Sequence, residues 1–327
     1  MSSDSPITWH WTQSPLSRRL RLGARLGLKP VMNYWPMTDR GVALVGKVNE
    51  WVGARLPRPK RIEIEDVELG GVRCELTTPS APATDDLAGG AILYLHGGAF
   101  LFCGPSTHRA ICGMLASTAG VPVYSVDYRQ LPAGAVAASV ADAMSAYTAL
   151  LDRVADRTRI VVAGDSAGGY LAMKVAELSA LRNIARPVAA VGFSPVLNFD
   201  FAREDPGYFR RDAYLPMRPL EKLRERWLSG PDAIEGNPSP MDVDPDVYPP
   251  VFMSAAEYEM LRPGVETMTR RLHEAGVTVE THLWVGQVHA FPAVGPVLPE
   301  AREIIRLSVD FARRAARAAR VQESRCA

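Results

Sequence analysis

Beyond residue 60 the chain alternates short runs of β-branched and apolar residues with longer segments of helical periodicity. No other feature constrains the fold as strongly. Repetition of that kind buries both faces of a mainly parallel sheet under helices, so the fold class is α/β. Eight strands are expected, at residues 62–69, 72–78, 91–96, 121–128, 159–164, 187–194, 250–256 and 277–285. The first two read as an antiparallel pair turning at Gly70 and Gly71. Helices are expected at about 107–119, 138–154, 167–181, 264–275 and 299–320.

Two stretches break the rhythm, residues 1–61 and about 196–248. Both are rich in aromatics, among them Trp9, Trp11, Tyr34, Trp35, Trp51, Tyr208, Phe209, Tyr214 and Trp227. Ligands in open α/β sheets bind beyond the carboxyl ends of the strands, which is where such extra segments are expected to meet as a cap. The organisation is therefore one catalytic domain, 62–327, with an N-terminal cap segment, 1–61, and a cap insertion at about 196–248.

Charge excludes several function classes. Lysine and arginine number 37 against 36 acidic residues, a net +1, too balanced for a general nucleic-acid binder. The total hides an asymmetry, because residues 1–61 hold eleven basic and three acidic side chains, a surplus of +8. The remainder carries 26 minus 33, or −7. Cys74, Cys103, Cys112 and Cys326 show no CxxC spacing, so neither a metal site nor a disulfide framework is indicated. Apolar runs fall short of the roughly 18 residues that a membrane span needs, and charge and proline stand where a secretory leader would be apolar. A cytoplasmic enzyme is the expectation.

Gly164-Asp165-Ser166-Ala167-Gly168 is a GxSxG between an apolar strand and a helical run. A serine on such a tight strand-to-helix turn is held in a strained conformation that exposes its hydroxyl at the sheet edge, while the flanking glycines let neighbouring chain pass. His96-Gly97-Gly98-Ala99-Phe100 follows another apolar strand. Small residues there leave backbone N–H groups open to a developing oxyanion. Gly97 and Gly98 are the expected donors, with Ala167 as a third at the start of a helix.

A serine nucleophile needs a base, and six histidines compete. His10 belongs to the expected cap, His273 lies mid-helix and His282 sits in a strand. His96 is expected to brace the glycine loop, and His108 to start a helix near the pocket. His289, in the loop GQVHAF after the last strand, remains as the base. The chain order nucleophile, acid, histidine of hydrolases built this way puts the third member after the strand ending at 256, where Glu257 and Glu259 are the candidates. Glu259 is preferred, with Glu257 as its rival.

HGGAF, GDSAGG, VDYR at 126–129, NPSPMDVDP, AEYEMLR and VHAF occur in an order and approximate spacing that resembles the hormone-sensitive-lipase-like branch of bacterial α/β-hydrolase carboxylesterases. The resemblance covers about residues 62–315. It implies an α/β-hydrolase fold, an acyl-binding cap, no cofactor, and the same nucleophile, base and oxyanion donors. Three positions depart from the family pattern. Ala99 stands in place of a third glycine, Glu259 in place of the usual aspartate, and Gln130-Leu131-Pro132-Ala133 in place of LAPE.

The expected activity is hydrolysis of short- to medium-chain acyl esters through an acyl-enzyme on Ser166. Ala99, Phe100, Asp165, Tyr208, Phe209 and Trp227 are candidates for substrate contact. An amidase or a deacetylase of a specialised metabolite would use the same triad. A non-catalytic small-molecule receptor is the reading from another class, and the presence of His289 argues against it. Leucines interleaved with basic residues at 16–29 read either as a membrane-surface helix or as a cap helix with a solvated basic face, with Gly23 and Gly27 favouring the second. A homodimer is an open alternative.

Overall fold

The computed structural model describes residues 5–36, 38–53, 55, 62–200, 206–215 and 217–326. The elements run β1 (Ile7–His10), α1 (Pro15–Gly23), α2 (Lys29–Tyr34), α3 (Asp39–Gly53), β2 (Ile62–Leu69), β3 (Val72–Pro79), β4 (Ala91–Leu95), α4 (Pro105–Ala119) and β5 (Val123–Val126). After them come α5 (Val136–Leu151), β6 (Ile160–Asp165), α6 (Ala167–Leu181), β7 (Ala189–Phe193), α7 (Pro206–Arg211), α8 (Met217–Leu228), β8 (Val251–Ala256), α9 (Arg262–Glu274), β9 (Val279–Trp284) and α10 (Pro299–Cys326).

One sheet holds all nine strands in the order β1-β9-β8-β7-β6-β4-β5-β3-β2. Only the pairs made by β3, with β2 and with β5, are antiparallel. Alternation along the central strands splits the interior into two layers. Leu93 and Leu95 of β4 and Val162 of β6 join the core under α5 and α6. Ile92, Tyr94, Val161 and Ala163 face the opposite layer, with α4 and α10. Burial on both faces explains why these strands read as continuous apolar runs.

Among the described residues nine strands replace the expected eight. The added one, β1, comes from the segment expected to lie wholly in the cap, and it pairs in parallel with β9, Thr8 opposite His282. His10 is therefore a sheet residue, not a cap residue. Its Nε2 lies 2.8 Å from His282 Nδ1, its ring stacks on Trp284 with centroids 3.9 Å apart, and His282 Nε2 lies 2.8 Å from Glu280. Burial and the neighbouring His282 push the pKa of His10 down to about 4. As a result β1 and β2 occupy opposite edges of the sheet.

Among the described residues no helix is long and apolar enough to cross a membrane.

Candidate active site

Strand β6 ends at the centre of the sheet, and Ser166 stands on the turn into α6 with φ 52° and ψ −117°. That left-handed backbone is costly for a side-chain-bearing residue and persists because its surroundings hold it. The Ser166 N–H donates to the Phe193 carbonyl at 2.9 Å. Glycine is required on either side. A Cβ on Gly164 would collide with the Gly168 carbonyl, and one on Gly168 with the Leu95 carbonyl.

His289 arrives on the loop after β9, its Nε2 2.9 Å from Ser166 Oγ. On the other side of the ring Nδ1 lies 3.4 Å from Glu259 Oε2, an oblique approach that leaves Nδ1 without a formed hydrogen bond. Such contacts are often loose in ligand-free sites and tighten on binding. Both residues are buried, Glu259 at 2% and His289 at 4% exposure, so their charges act with little screening. Burial opposes a charged His289, but Glu259, Asp212 and Asp165 outweigh it and raise the imidazole pKa above 6.5. The rival Glu257 points elsewhere and accepts from the Gly286 N–H at 3.3 Å.

Two residues that the sequence did not single out fasten this arrangement. Ser194, at φ 52°, donates from Oγ to Glu259 Oε2 at 2.8 Å and accepts from the Ala290 N–H at 3.1 Å, tying Glu259 to the residue after His289. Asp212, from the cap insertion, accepts from the N–H groups of Tyr214 and Leu215 through Oδ1 and from Met260 N–H through Oδ2 at 3.1 Å. The spacing of Asp212 and Tyr214 is that of a turn in which aspartate caps the chain two residues on, and it was the available signal. The Tyr214 hydroxyl donates to the His289 carbonyl at 2.9 Å.

The glycine loop departs from expectation at one donor. Gly97 N–H is not free for an oxyanion, because it donates to Asp165 Oδ1 at 2.9 Å. Asp165 is a buried hub that also takes the Tyr94 hydroxyl at 2.6 Å and lies 3.3 Å from His108 Nε2. Burial alone would raise its pKa; His108 and the donors from Tyr94 and Gly97 overcome that and hold the carboxyl below its ordinary range. The next residues turn sharply, Gly98 at φ 120° and Ala99 at φ 55°. Among the described residues the amides of Gly98, Ala99 and Ala167 have no hydrogen-bond acceptor. Those three amides, rather than Gly97, Gly98 and Ala167, are the available set. His96 braces the loop from beneath through Nδ1 to the Gly97 carbonyl at 2.8 Å, and burial with His108 nearby lowers its pKa to about 3.

Ser166 and His289 open into a mostly apolar cavity of about 240 Å³ bordered by Gly98, Ala99, Met32, Tyr214, Leu220 and Leu223, so both cap segments contribute walls. The expected substrate contacts divide. Ala99 and Asp165 border the cavity, although Asp165 is spent on the loop. Phe100 turns into the core against Tyr170 and Trp227, ring centroids 5.7 and 5.9 Å away, and Trp227 Nε1 donates to the Ala99 carbonyl at 2.9 Å. These two aromatics support the wall from behind instead of lining it. Tyr208 is drawn off toward Arg262, which donates to its hydroxyl and lies over its ring. The side chain of Phe209 falls outside the described residues.

A family model described as alpha/beta hydrolase fold matches residues 92–293. The carboxylesterase/phospholipase LipF of Mycobacterium tuberculosis is 31% identical over 308 residues, covering 92% of this chain and 82% of that protein. An acetyl-hydrolase of Streptomyces hygroscopicus is 35% identical over 239 residues, 72% of this chain and 78% of its own. The crystal structure of a hormone-sensitive lipase from a metagenome library superposes with a TM-score of 0.82 at 26% identity, covering 94% of this chain and all of that one. The chain belongs to the hormone-sensitive-lipase-like carboxylesterases of the α/β-hydrolase fold.

Within this carboxylesterase the substitution of glutamate for the usual aspartate has a local counterpart. Glu259 reaches both Ser194 and the far side of the His289 ring with one oxygen, Oε2, while Oε1 is buried without a partner. Among the described residues no group of three or more His, Cys, Asp or Glu side chains is placed to hold a metal ion.

Proposed function

We propose that this carboxylesterase hydrolyses short- to medium-chain acyl esters through an acyl-enzyme on Ser166. The observation that carries the reading is the 2.9 Å contact between His289 Nε2 and Ser166 Oγ at the floor of an apolar cavity. Ser166 Oγ attacks the ester carbonyl carbon while His289 Nε2 takes the hydroxyl proton. Glu259 holds the ring and balances the imidazolium charge. The oxygen of the tetrahedral adduct accepts from the amides of Gly98, Ala99 and Ala167, the last at the positive end of α6. His289 then gives its proton to the departing alcohol oxygen. A water that loses its proton to the same nitrogen attacks the acyl carbon and frees Ser166.

Ser166→Ala is expected to abolish turnover of a short p-nitrophenyl ester with an unchanged melting temperature. Retained turnover would overturn the assignment. A second reading, removal of an acetyl group from a specialised metabolite, is supported by the similarity to the Streptomyces acetyl-hydrolase and by the modest cavity. A p-nitrophenyl ester series separates the two, since a deacetylase loses activity steeply beyond acetate. Among the described residues Cys74, Cys103 and Cys112 are unpaired thiols, which supports a reducing, cytoplasmic setting.

A further inference from the structure

The leucine and arginine stripe at 16–29 had two readings in the sequence, and the side chains do not follow the one with a buried apolar face. Leu16 and Leu20 pack partly against the core, but Leu22 and Leu26 stand out in solvent, Leu26 at 69% exposure. Tyr34, Leu44 and Trp51 on α2 and α3 are also exposed, Tyr34 at 85%. Of the thirteen large apolar side chains exposed among the described residues, nine belong to residues 11–51. A soluble surface scatters such residues; a concentration of them marks a contact face.

Cations are interleaved with that apolar surface. On α1 and the turn after it, Arg18 and Arg25 lie one helical turn from Leu22. On α3 the spacing Arg40, Leu44, Lys47 and Trp51 sets charge and apolar residue on one stripe, and all four are exposed. The acidic residue of that helix's first turn, Asp39, is already paired with Arg226. The same face holds a groove of about 310 Å³ between α2 and α3, lined by Leu28, Val31, Trp35 and Val45. Met32, Leu101, Phe102 and Tyr214 border both this groove and the cavity at Ser166, so the two adjoin.

We propose that this cap face docks on an anionic phospholipid surface, which presents the groove, and through it Ser166, to acyl chains held there; the last step rests on the esterase reading, the docking does not. Apolar side chains entering the headgroup layer among cations suit an interface with anionic lipid. A second copy is a poorer occupant, because it would set one +8 segment against another.

The test is co-sedimentation of the full chain with vesicles of mixed phosphatidylglycerol and phosphatidylcholine, and with phosphatidylcholine alone, at low and high salt. Binding to the anionic vesicles is expected, weakened at least about tenfold by high salt. It should be lost in Leu22→Gln/Leu26→Gln/Leu44→Gln and in Arg25→Glu/Lys47→Glu, with turnover of a soluble acetate ester and the melting temperature unchanged. No binding to either vesicle, equal binding to both, or a dimer that the same substitutions dissociate would each overturn the docking. A wild-type chain that binds anionic vesicles but does not cleave the soluble ester would instead overturn the esterase reading and leave the docking standing.

Discussion

The hydroxyl of Tyr214 donates to the main-chain carbonyl of His289 at 2.9 Å, and so a residue of the cap insertion holds the loop that carries His289. Two residues earlier in the same insertion Asp212 holds the loop that carries Glu259, through Met260 N–H. Lys29, from the other cap segment, donates to the Asp212 carbonyl at 2.6 Å. The insertion is thus fastened to the Glu259 and His289 loops at two points, and the two cap segments to each other at a third. Tyr214→Phe keeps the ring against the cavity and removes one hydrogen bond worth about 1 kcal/mol, so kcat is expected to fall roughly fivefold with KM nearly constant. Steady-state kinetics on a short ester measure it, and an unchanged kcat would show that the His289 loop needs no such support.

The glycine loop supplies the second prediction. Asp165 organises it by accepting from Gly97 N–H and the Tyr94 hydroxyl while lying beside His108. Asp165→Asn removes the negative charge that the Tyr94 hydroxyl, Gly97 N–H and His108 all address at Oδ1. The amides of Gly98 and Ala99 should then lose their fixed direction, with kcat falling by about 10² or more, the scale of losing one oxyanion donor. Binding of a ground-state ester analogue should change little. A kcat within twofold of wild type would mean that the loop is held by its other contacts alone.

In the proposed mechanism His289 must be neutral to take the Ser166 proton, and its pKa is raised above 6.5 by Glu259 and its acidic neighbours against the effect of burial. Activity is therefore expected to fall as pH drops through a value above 6.5. Glu259→Gln removes the main source of that rise, so the acid limb of the kcat profile should move to lower pH while kcat itself falls by up to about 10⁴-fold. Glu259→Asp shortens the reach to Ser194 and His289 and should recover only part of the activity. A pH profile that Glu259→Gln leaves in place would show that another group sets the limb.

How much of this was legible from residues alone differs by feature. The strands after residue 60 announce themselves because burial on both faces makes them apolar throughout, and their ends came within a few residues of those observed. β1 did not, since four residues of an edge strand carry little pattern and owe their conformation to pairing with β9. Ser166 and His289 could be singled out by local context, a glycine-flanked turn and a loop following a strand. Which amide of the glycine loop faces the cavity could not, because it is decided by a carboxylate 68 residues away that captures Gly97. The sequence favours Glu259 over Glu257, and the structure gives the two different partners, Ser194 for Glu259 and Gly286 for Glu257.

The β1 contact carries a prediction about stability. His10 has a folded pKa near 4 against 6.5 in the unfolded chain. It faces His282 and Trp284, with Glu280 and Glu303 close to the pair and Arg314 on Glu280. The unfolded chain takes up a proton below pH 6.5 and the folded one does not until about 4. Stability linked to His10 is thus fully present above 6.5 and declines as pH falls through that window. Thermal melts between pH 7 and 4.5 should show a shallower decline for His10→Gln than for wild type, and parallel slopes would remove His10 from the account.

Placing β1 and β2 at opposite edges of the sheet has a mechanical consequence. The chain from 11 to 61 leaves one margin and must reach the other, across eight strand spacings or about 38 Å. It behaves like a footbridge with both abutments set in the sheet. Gln13, Ser14 and Lys29 pin it between those ends, on Gly286, Glu300 and Asp212, so it cannot swing open on a single hinge as a flap does.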